Sequence, residues 1–306
     1  MDRSSTIMWV GTVRSLPLRE QLVASFAAGC DALSITPYNY SRWLAEGLST
    51  KDMLLMAADN NVRLTQLDPY SRWATYWKPD NLDPSQFPLS FFDFDENDFF
   101  RIADALKVDS MSAIITCPKH QVSMAQLVDG FAKLCDRAAN LGLRVDLEFI
   151  PFWGLADLES AWEVVRSAGK PNSGIVFDFW HYMRGKPDAA LLDTIPGNKI
   201  SSVQIADADA VIRSDRSMLD DNSLYRVAPG EGGFPVIELL QQLDRIGGLN
   251  RVGPEIFSSV FDKLSAGEIG EWCRTSCAHV FKAAGLAERW PALRERTTPQ
   301  PLPKPA

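Results

Sequence analysis

The fold is indicated most clearly by three consecutive segments: RVDLEFIPF at residues 144–152, DLESAWEVVRSA at 157–168 and GIVFDFW at 174–180. The first and third segments are short apolar runs, as expected for strands that are buried on both faces, and the middle segment has the apolar spacing of a helix. A strand, a helix and a second strand in this order indicate two parallel strands joined by a crossover helix.

The same alternation runs from one end of the chain to the other. The predicted strands are Thr6–Val13, Asp31–Tyr38, Val62–Leu67, Ser110–Cys117, Arg144–Phe152, Gly174–Trp180, Ile200–Ala206 and Asn250–Phe257. The predicted helices lie near residues 17–29, 50–59, 95–107, 123–141, 157–168, 188–194, 235–246 and 265–285. Eight such units predict an α/β fold with a single (β/α)8 TIM barrel. A doubly wound sheet is the alternative, but no GxGxxG follows the first strand to favour it.

Local signals support the helix boundaries. Ser123 with Gln126 and Ser265 with Glu268 have the spacing of capping boxes. Glycines follow three of the helices, at Gly142, Gly247 and Gly285, where we expect left-handed caps. We therefore predict one barrel domain over residues 1–291, followed by a proline-rich polar tail over residues 292–306 without fixed structure.

Composition excludes several functions. The 306 residues carry a net charge of −8, which gives no basic surface for nucleic acid or for an anionic membrane. No stretch is long and apolar enough to span a bilayer. The five cysteines form no CxxC, and residues 1–11 lack the basic start and long apolar run of a leader, so we expect a cytoplasmic protein. With only three histidines, a metal site must depend on carboxylates and amides.

Two long segments follow strands, which places them at the barrel face where active sites lie. Residues 68–93 are dense in aromatic side chains, and residues 207–234 carry three arginines and the run PGEGG at 229–233. Loops of this length in a compact domain are usually lids or binding loops. A subunit interface or a hydrophobic plug is the alternative for the aromatic loop.

Four consecutive predicted strands each carry one oxygen ligand near their end, namely Glu148, Asp178, Gln204 and Glu255. Barrel strands are otherwise apolar. Three buried carboxylates at one end of the barrel repel each other unless a metal cation or a positively charged side chain neutralises them. Three carboxylates and an amide suit one divalent ion, Mn²⁺, Mg²⁺ or Co²⁺. For any single residue, a salt bridge to a barrel arginine or lysine is the alternative.

Other side chains are candidates for catalysis and substrate binding. His181 lies three residues after Asp178, where it is placed to hydrogen-bond a substrate hydroxyl or to orient a ligand. Arg226, Lys119, His120 and Trp180 are predicted to bind substrate. For Lys119 and His120, solvated loop positions are an equally good interpretation.

These motifs resemble the xylose-isomerase-like barrel superfamily, which includes sugar-phosphate isomerases and epimerases, hydroxypyruvate isomerase and inosose dehydratase. The resemblance lies in the segments LE at 147–148, FDFWH at 177–181, VQIAD at 203–207, RVAPGEG at 226–232 and EIFS at 255–258. It is closest to the hydroxypyruvate isomerase branch, although this chain has a longer segment between Asp207 and Arg226. The resemblance implies one divalent metal held by Glu148, Asp178, Gln204 and Glu255, with the two glutamates moving protons.

The leading hypothesis is therefore a metal-dependent isomerase or epimerase of a keto-sugar, in which one of Glu148 and Glu255 removes a proton to give an enediolate and the other returns it. The alternative is a dehydratase or a β-eliminating lyase of a keto-sugar, keto-polyol or keto-glycoside. A third hypothesis is a metal-free binding protein. The expected partner is a small carbohydrate-like molecule, and we expect it to be unphosphorylated because only residues 229–233 resemble a phosphate cradle. The sequence leaves a homo-oligomer open.

Overall fold

The structure is a computed structural model that describes residues 5–82 and 89–290. In these residues eight parallel strands close into a barrel in chain order. The strands are β1 (Ser5–Met8), β2 (Ala32–Ile35), β3 (Arg63–Tyr70), β4 (Ser110–Ala113), β5 (Arg144–Glu148), β6 (Ser173–Asp178), β7 (Ile200–Ile205) and β8 (Arg251–Pro254). The predicted single TIM barrel is confirmed.

Eleven α-helices surround the barrel in the described residues. They are α1 (Leu18–Ala28), α2 (Pro37–Ala45), α3 (Thr50–Asp59), α4 (Glu96–Leu106), α5 (Met124–Ala139), α6 (Leu158–Ala168), α7 (Phe179–Arg184), α8 (Ala189–Thr194), α9 (Met218–Leu224), α10 (Val236–Arg245) and α11 (Ala266–Ala283). All eight predicted helices are present within two residues of the expected bounds. The short helices α2, α7 and α9 were not predicted, since each lies in a segment assigned to a strand end or a loop.

Several predicted strands were too long. The chain leaves the sheet after Met8, Ile35, Ala113 and Glu148, although apolar residues continue beyond each of these positions. The continuing residues are buried because they pack at the mouth of the barrel, so their hydrophobicity reflects loop burial and not pairing. Strand β3 shows the opposite error, because it extends to Tyr70 where the sequence predicted a loop from residue 68.

Both predicted capping boxes form, at Ser123 and at Ser265, and each serine side chain accepts a backbone N–H three residues later. Gly142, Gly247 and Gly285 have positive φ angles of 72°, 74° and 78°, so the predicted left-handed caps are also confirmed. The helices therefore end where the sequence predicted, and they bring the chain back to begin each next strand.

The barrel closes between β8 and β1 at a point where only glycine fits. A Cβ on Gly253 would lie 1.6 Å from the carbonyl oxygen of Ile7. This close approach lets β8 pair with β1 and places Glu255 at the mouth, immediately beyond the end of β8. Ile7, Trp9, Ala32 and Val176 form a separate apolar cluster, apart from the main core.

The predicted tail at residues 292–306 lies outside the described residues, and the domain boundary at 291 stays a prediction. In the part of the chain that is described, no helix combines the length and apolarity needed to cross a bilayer.

Candidate metal centre and its cavity

The four predicted ligands lie at the carboxyl ends of neighbouring strands. Glu148 and Asp178 are the last residues of β5 and β6, Gln204 lies one residue before the end of β7, and Glu255 follows β8. Asp178 and Gln204 are direct pairing partners across the sheet. All four residues are buried, with at most 5% of their surface exposed. Parallel strands thus bring the four residues to one end of the barrel.

Three of the buried groups are close enough to share an ion. Ligand atoms of Glu148, Asp178 and His181 all lie within 4.8 Å of one another. In the described residues, neither the amide oxygen nor the amide nitrogen of Gln204 has a hydrogen-bond partner. A buried amide without a partner is costly, and an oxygen-rich set beside it is typical of a divalent cation site. These residues fit the divalent metal that the sequence predicts.

Arg226 lies behind this cluster and not in the cavity. Its side chain is fully buried, and Nη1 donates to Oδ2 of Asp178 at 2.7 Å and approaches Oε2 of Glu255 at 3.4 Å. Nη2 donates to Oδ1 of Asn222 at 2.6 Å. Glu255 is not part of the Glu148, Asp178 and His181 set, and its nearest described cation is Arg226. Arg226 therefore orders two carboxylates, whereas the sequence predicted that it binds substrate.

The contacts of His181 define its tautomer. Nε2 lies 3.2 Å from Nη2 of Arg226, and a guanidinium can only donate, so Nε2 accepts. In the neutral ring Nδ1 then carries the proton, and it lies 3.1 Å from Oε1 of Glu148, although outside good hydrogen-bond geometry. A protonated nitrogen does not bind a metal. This tautomer favours His181 as a donor beside the cation site and not as a ligand.

Asp68 is a carboxylate of the site that the sequence analysis missed. It lies on β3, lines the same cavity as Glu148 and Glu255, and accepts a hydrogen bond from the hydroxyl of Ser112. Burial, and then the charge of Glu148, raise the pKa of Asp68 to about 7. Its signal in the sequence was its position directly after a predicted strand, at the end of the barrel where active sites lie.

The pKa shifts of Glu255 and Asp178 differ in how strongly Arg226 opposes the effect of burial. Burial raises the pKa of Glu255 well above its usual value, and Arg226 opposes this shift only in part. Burial also acts to raise the pKa of Asp178, but Arg226 and then His181 outweigh it and leave that pKa below its usual value. The site therefore holds one carboxylate that is stabilised as the anion and others that favour a proton or a cation.

A single cavity of about 200 Å³ opens above these residues. Its floor is polar and consists of Asp68, Glu148, His181 and Glu255. One side is formed by four aromatic residues, which we call the aromatic wall: Phe91, Phe92, Phe152 and Trp153. The first two come from the loop after β3 and the last two from the loop after β5. Part of the predicted aromatic loop thus reaches the site.

Three predicted substrate-binding residues are not among those that line this cavity. Lys119 and His120 are exposed on the loop after β4, in agreement with the alternative interpretation of solvated loop positions. Trp180 is fully buried, its ring lies 5.3 Å from the Arg226 guanidinium, and its indole N–H donates to Asp221 at 2.9 Å. Trp180 thus supports Arg226 and α9 from behind.

The segment at residues 229–233 does not serve as an open phosphate cradle. Asp207 accepts from the backbone N–H groups of Gly230 at 3.1 Å and Phe234 at 2.9 Å, so its own carboxylate occupies these donors. A Cβ on Gly232 would lie 2.3 Å from Oδ1 of Asp207, which explains the glycine. This segment fixes the loop after β7 and offers no free anion site at these donors.

The comparisons with known proteins agree with this architecture. The family profile described as "Xylose isomerase-like TIM barrel" matches residues 22–276. The chain belongs to this family. The resemblance seen in the sequence motifs is therefore confirmed.

Similar proteins in the family carry different activities. The chain is 26% identical to a 3-dehydroshikimate dehydratase of Pseudomonas aeruginosa over 267 residues, which cover 85% of this chain and 39% of that protein. It is 30% identical to an inosose isomerase of Bacillus subtilis over 143 residues, covering 46% of this chain and 50% of that protein. The chain thus spans well under half the length of the dehydratase. These relatives are enzymes, and their named substrates are small carbohydrate-like molecules.

Among solved structures, a crystal structure of the IOLI protein with a bound zinc atom superposes with a TM-score of 0.76. The match has 20% sequence identity and covers 92% of this chain and 99% of that one. At this identity the likeness shows the fold. That protein binds zinc, and in the present chain the carboxylates of Glu148 and Asp178 lie close enough together, beside His181, to share a metal ion.

Proposed function

We propose that the chain is a divalent-metal-dependent lyase that removes the proton next to the carbonyl of a polyhydroxy ketone and expels the substituent on the following carbon. The observation that carries the proposal is that Glu148 and Glu255 line one cavity beside residues suited to a cation. A carboxylate pair of this kind can remove and deliver protons on a single bound substrate.

Glu148, Asp178, Gln204 and Glu255 are the proposed ligands, and the ion is Mn²⁺, Mg²⁺ or Co²⁺. When bound, such an ion supplies positive charge for the oxygen atoms on which negative charge develops. Gln204 supports this assignment because its buried amide has no other partner in the described residues. Arg226 holds Asp178 and Glu255 in place from the opposite side.

The protein's own groups carry the protons. One of Glu148 and Glu255 accepts the proton from carbon, and the electron pair of that bond forms the new double bond. The bond to the leaving group breaks, and the leaving oxygen takes up the proton that the glutamate has received, which restores the carboxylate. The Nδ1–H of His181 lies beside Glu148, where it can donate to a substrate hydroxyl. The aromatic wall excludes water from the intermediate.

Similarity to a dehydratase over most of the chain supports elimination as the outcome. Isomerisation is the second candidate, and the similarity to an inosose isomerase over nearly half of the chain favours it. Both outcomes begin with the same proton removal, and they differ only in whether a substituent leaves or a proton returns.

The test is a screen of keto-sugars and keto-polyols in D₂O with added Mn²⁺. We expect loss of water or of another β-substituent, measured by mass spectrometry, and a Glu148→Gln variant without this activity. Deuterium incorporation with no elimination from any β-substituted ketone would favour isomerisation. If the purified protein binds no divalent metal, and added Mn²⁺ does not raise its stability, both enzyme proposals are wrong.

A further inference from the structure

We propose that the aromatic wall is a binding subsite for a neutral aromatic substituent carried by the substrate. This inference rests on the proposed function, because it describes the group next to the reacting carbon atoms. A substrate consisting only of hydroxylated carbons has no use for so much apolar surface, and the contacts of the aromatic wall show that it is a built feature.

The rings of the aromatic wall contact one another. Phe91 and Phe92 meet edge to face at 5.3 Å, Phe92 and Trp153 at 6.3 Å, and Phe152 and Trp153 at 4.9 Å between ring centroids. Together with Ile114 and Ile150, Phe92 and Trp153 form an apolar cluster that is separate from the main core of the barrel. Its position at the mouth of the cavity indicates that it serves the site.

The side chains of the aromatic wall offer no polar atom to a bound hydroxyl group. Phenylalanine has none, and the one polar atom of Trp153, the indole N–H, donates to Oδ1 of Asn81 at 2.9 Å. A hydroxyl group placed against this surface would lose its water without gaining a partner. A flat apolar group would instead gain from leaving water and from ring contacts.

Charge around the cavity excludes an anionic substituent. Arg14 lines the cavity, but its guanidinium donates to both carboxylate oxygens of Asp262, at 2.9 and 2.7 Å. Arg226 is engaged by Asp178 and Glu255. Among the described residues that line the cavity, no guanidinium or ammonium is left for a carboxylate or phosphate, and the acidic floor would repel one. The substituent is therefore neutral.

The aromatic wall also lies next to the groups that would move the protons. Glu148 ends β5, and Phe152 and Trp153 follow it by only four and five residues, so the floor and the aromatic wall are adjacent. In an aryl glycoside with a ketone at carbon 3, the acidic hydrogen is on carbon 2 and the aryloxy group is on carbon 1. Removal of that hydrogen forms the carbon 1–carbon 2 double bond, and the aryloxy group leaves and takes a proton to give a phenol.

A binding experiment with unreactive probes tests the subsite. Phenyl β-D-glucopyranoside and methyl β-D-glucopyranoside carry no ketone, and their affinities are measured by calorimetry with and without Mn²⁺. We expect the phenyl compound to bind about tenfold more tightly to the wild type, because its ring is buried against the aromatic wall. Equal affinities, or no measurable binding of the phenyl compound, would overturn the proposal.

Variants assign the preference to the aromatic wall. Phe92→Leu and Trp153→Leu should reduce the phenyl-to-methyl ratio to about threefold or less. Tyr76→Leu is the matched control, because Tyr76 belongs to the same loop but is 55% exposed, and it should keep the wild-type ratio. If the two variants do not fold, two other measurements test the same point. One is the phenyl-to-methyl ratio of the milder variant Phe91→Leu, and the other is saturation transfer from the wild type to the phenyl protons of the bound probe.

Steady-state kinetics distinguish a failure of the proposed subsite from a failure of the proposed elimination reaction. With phenyl and methyl 3-keto-β-D-glucosides, the Phe92→Leu and Trp153→Leu variants should raise KM more for the phenyl substrate than for the methyl substrate, whereas any loss of kcat caused by entry of water should be similar for both. An equal decrease of kcat on both substrates, without a change in KM, would show that the aromatic wall only excludes water. The proposed subsite would then be wrong, and the proposed elimination reaction would still hold. Aromatic-wall-dependent binding of the phenyl probe without any elimination would support the subsite and contradict the proposed function.

Discussion

Two buried carboxylates, Asp146 and Glu148, are two residues apart on β5 and project to the same side of the strand, but their surroundings differ. Asp146 lies 3.7 Å from the guanidinium of Arg144. Burial raises the pKa of Asp146, and the charges of Arg144 and Arg251 oppose this shift. The surroundings of Asp146 are part of a lower network near the amino ends of the strands: Gln66, Ser110, Arg144, Asp146 and Arg251.

Glu148 lies among acids instead. The upper cluster, defined as Asp68, Glu148, Asp178, His181, Arg226 and Glu255, has four carboxylates and one guanidinium. In the lower network, two arginines face Asp146 and the neighbouring Asp109. The two arginines of the lower network match Asp146 and Asp109 in number, whereas the upper cluster has three more carboxylates than guanidinium groups and needs protons or a cation. The comparison indicates that the lower network stabilises the barrel and the upper cluster gives up stability for function.

The largest expected effect comes from removing the negative charge of Glu148, compared with removing that of Asp146 on the same strand. Glu148→Gln should lower kcat/KM by about 10³-fold, because it removes a group that moves a proton. It should leave the metal-free protein as stable as the wild type or more stable, since it relieves repulsion. Asp146→Asn should leave kcat/KM within about threefold, because its neighbours do not reach the cavity. Steady-state kinetics and thermal unfolding of both variants check this prediction, and equal losses of activity would contradict the comparison.

The sequence predicted Glu148, Asp178 and Glu255 of the upper cluster, and the nearby Gln204, because barrel strands are otherwise apolar and these residues stand out at the strand ends. It missed Asp68 for a definite reason. The strand was predicted to end at Leu67, and the carboxylate was therefore assigned to a loop, although β3 continues to Tyr70. Strand ends in a barrel are hard to locate because the loops at the mouth are as apolar as the strands.

Long-range pairing could not be predicted at all. Arg226 is 48 residues from Asp178 in the sequence, and its motif suggested contact with substrate, whereas its guanidinium is buried between two carboxylates. In the same way, the aromatic loop was recognised as a site loop, but its sequence does not show that Phe91 and Phe92 meet Trp153 of another loop. Such contacts depend on how two loops fold over the same barrel mouth.

The second prediction concerns metal and the excess negative charge. Adding Mn²⁺ at a hundred times its dissociation constant should stabilise the wild type by about 2.7 kcal/mol, because the ion binds the folded state. Asp178→Asn should lose most of this gain, whereas Asp146→Asn should keep it. Thermal unfolding with and without Mn²⁺, after removal of metal by a chelator, measures the difference. An equal gain in both variants would place the ion elsewhere.

The third prediction tests the lower network by removing one of its cations. Nη1 of Arg251 donates to Oγ of Ser110 at 2.6 Å, and Nη2 donates to Asp109 at 2.8 Å. Arg251→Met should lower the free energy of unfolding by about 2 kcal/mol, because the buried hydroxyl oxygen of Ser110 loses its donor. The activity of the folded protein should be unchanged. Arg274→Met is the control, since this exposed pair with Glu271 should contribute about 0–1 kcal/mol.

The last prediction is a pH dependence that belongs to the upper cluster. Burial, and then Glu148, raise the pKa of Asp68 to about 7 in the folded protein, compared with an ordinary value of 3.8. Between these values the folded state keeps a proton that the unfolded chain has lost, so stability falls as pH rises through this window. The slope from this group approaches about 1.4 kcal/mol per pH unit and ends above pH 7, where both states are ionised.

Unfolding of metal-free protein by urea between pH 4.5 and 8 measures this slope. Asp68→Asn should remove the contribution of Asp68, because the amide does not titrate. Glu148→Gln should narrow the window by lowering the pKa of Asp68, since the charge of Glu148 is the second cause of the shift. Ser112→Ala should widen the window, because the Ser112 hydroxyl stabilises the ionised form. If Glu148→Gln left the pH dependence unchanged, the repulsion that distinguishes the upper cluster from the lower network would be too weak to favour binding of a cation.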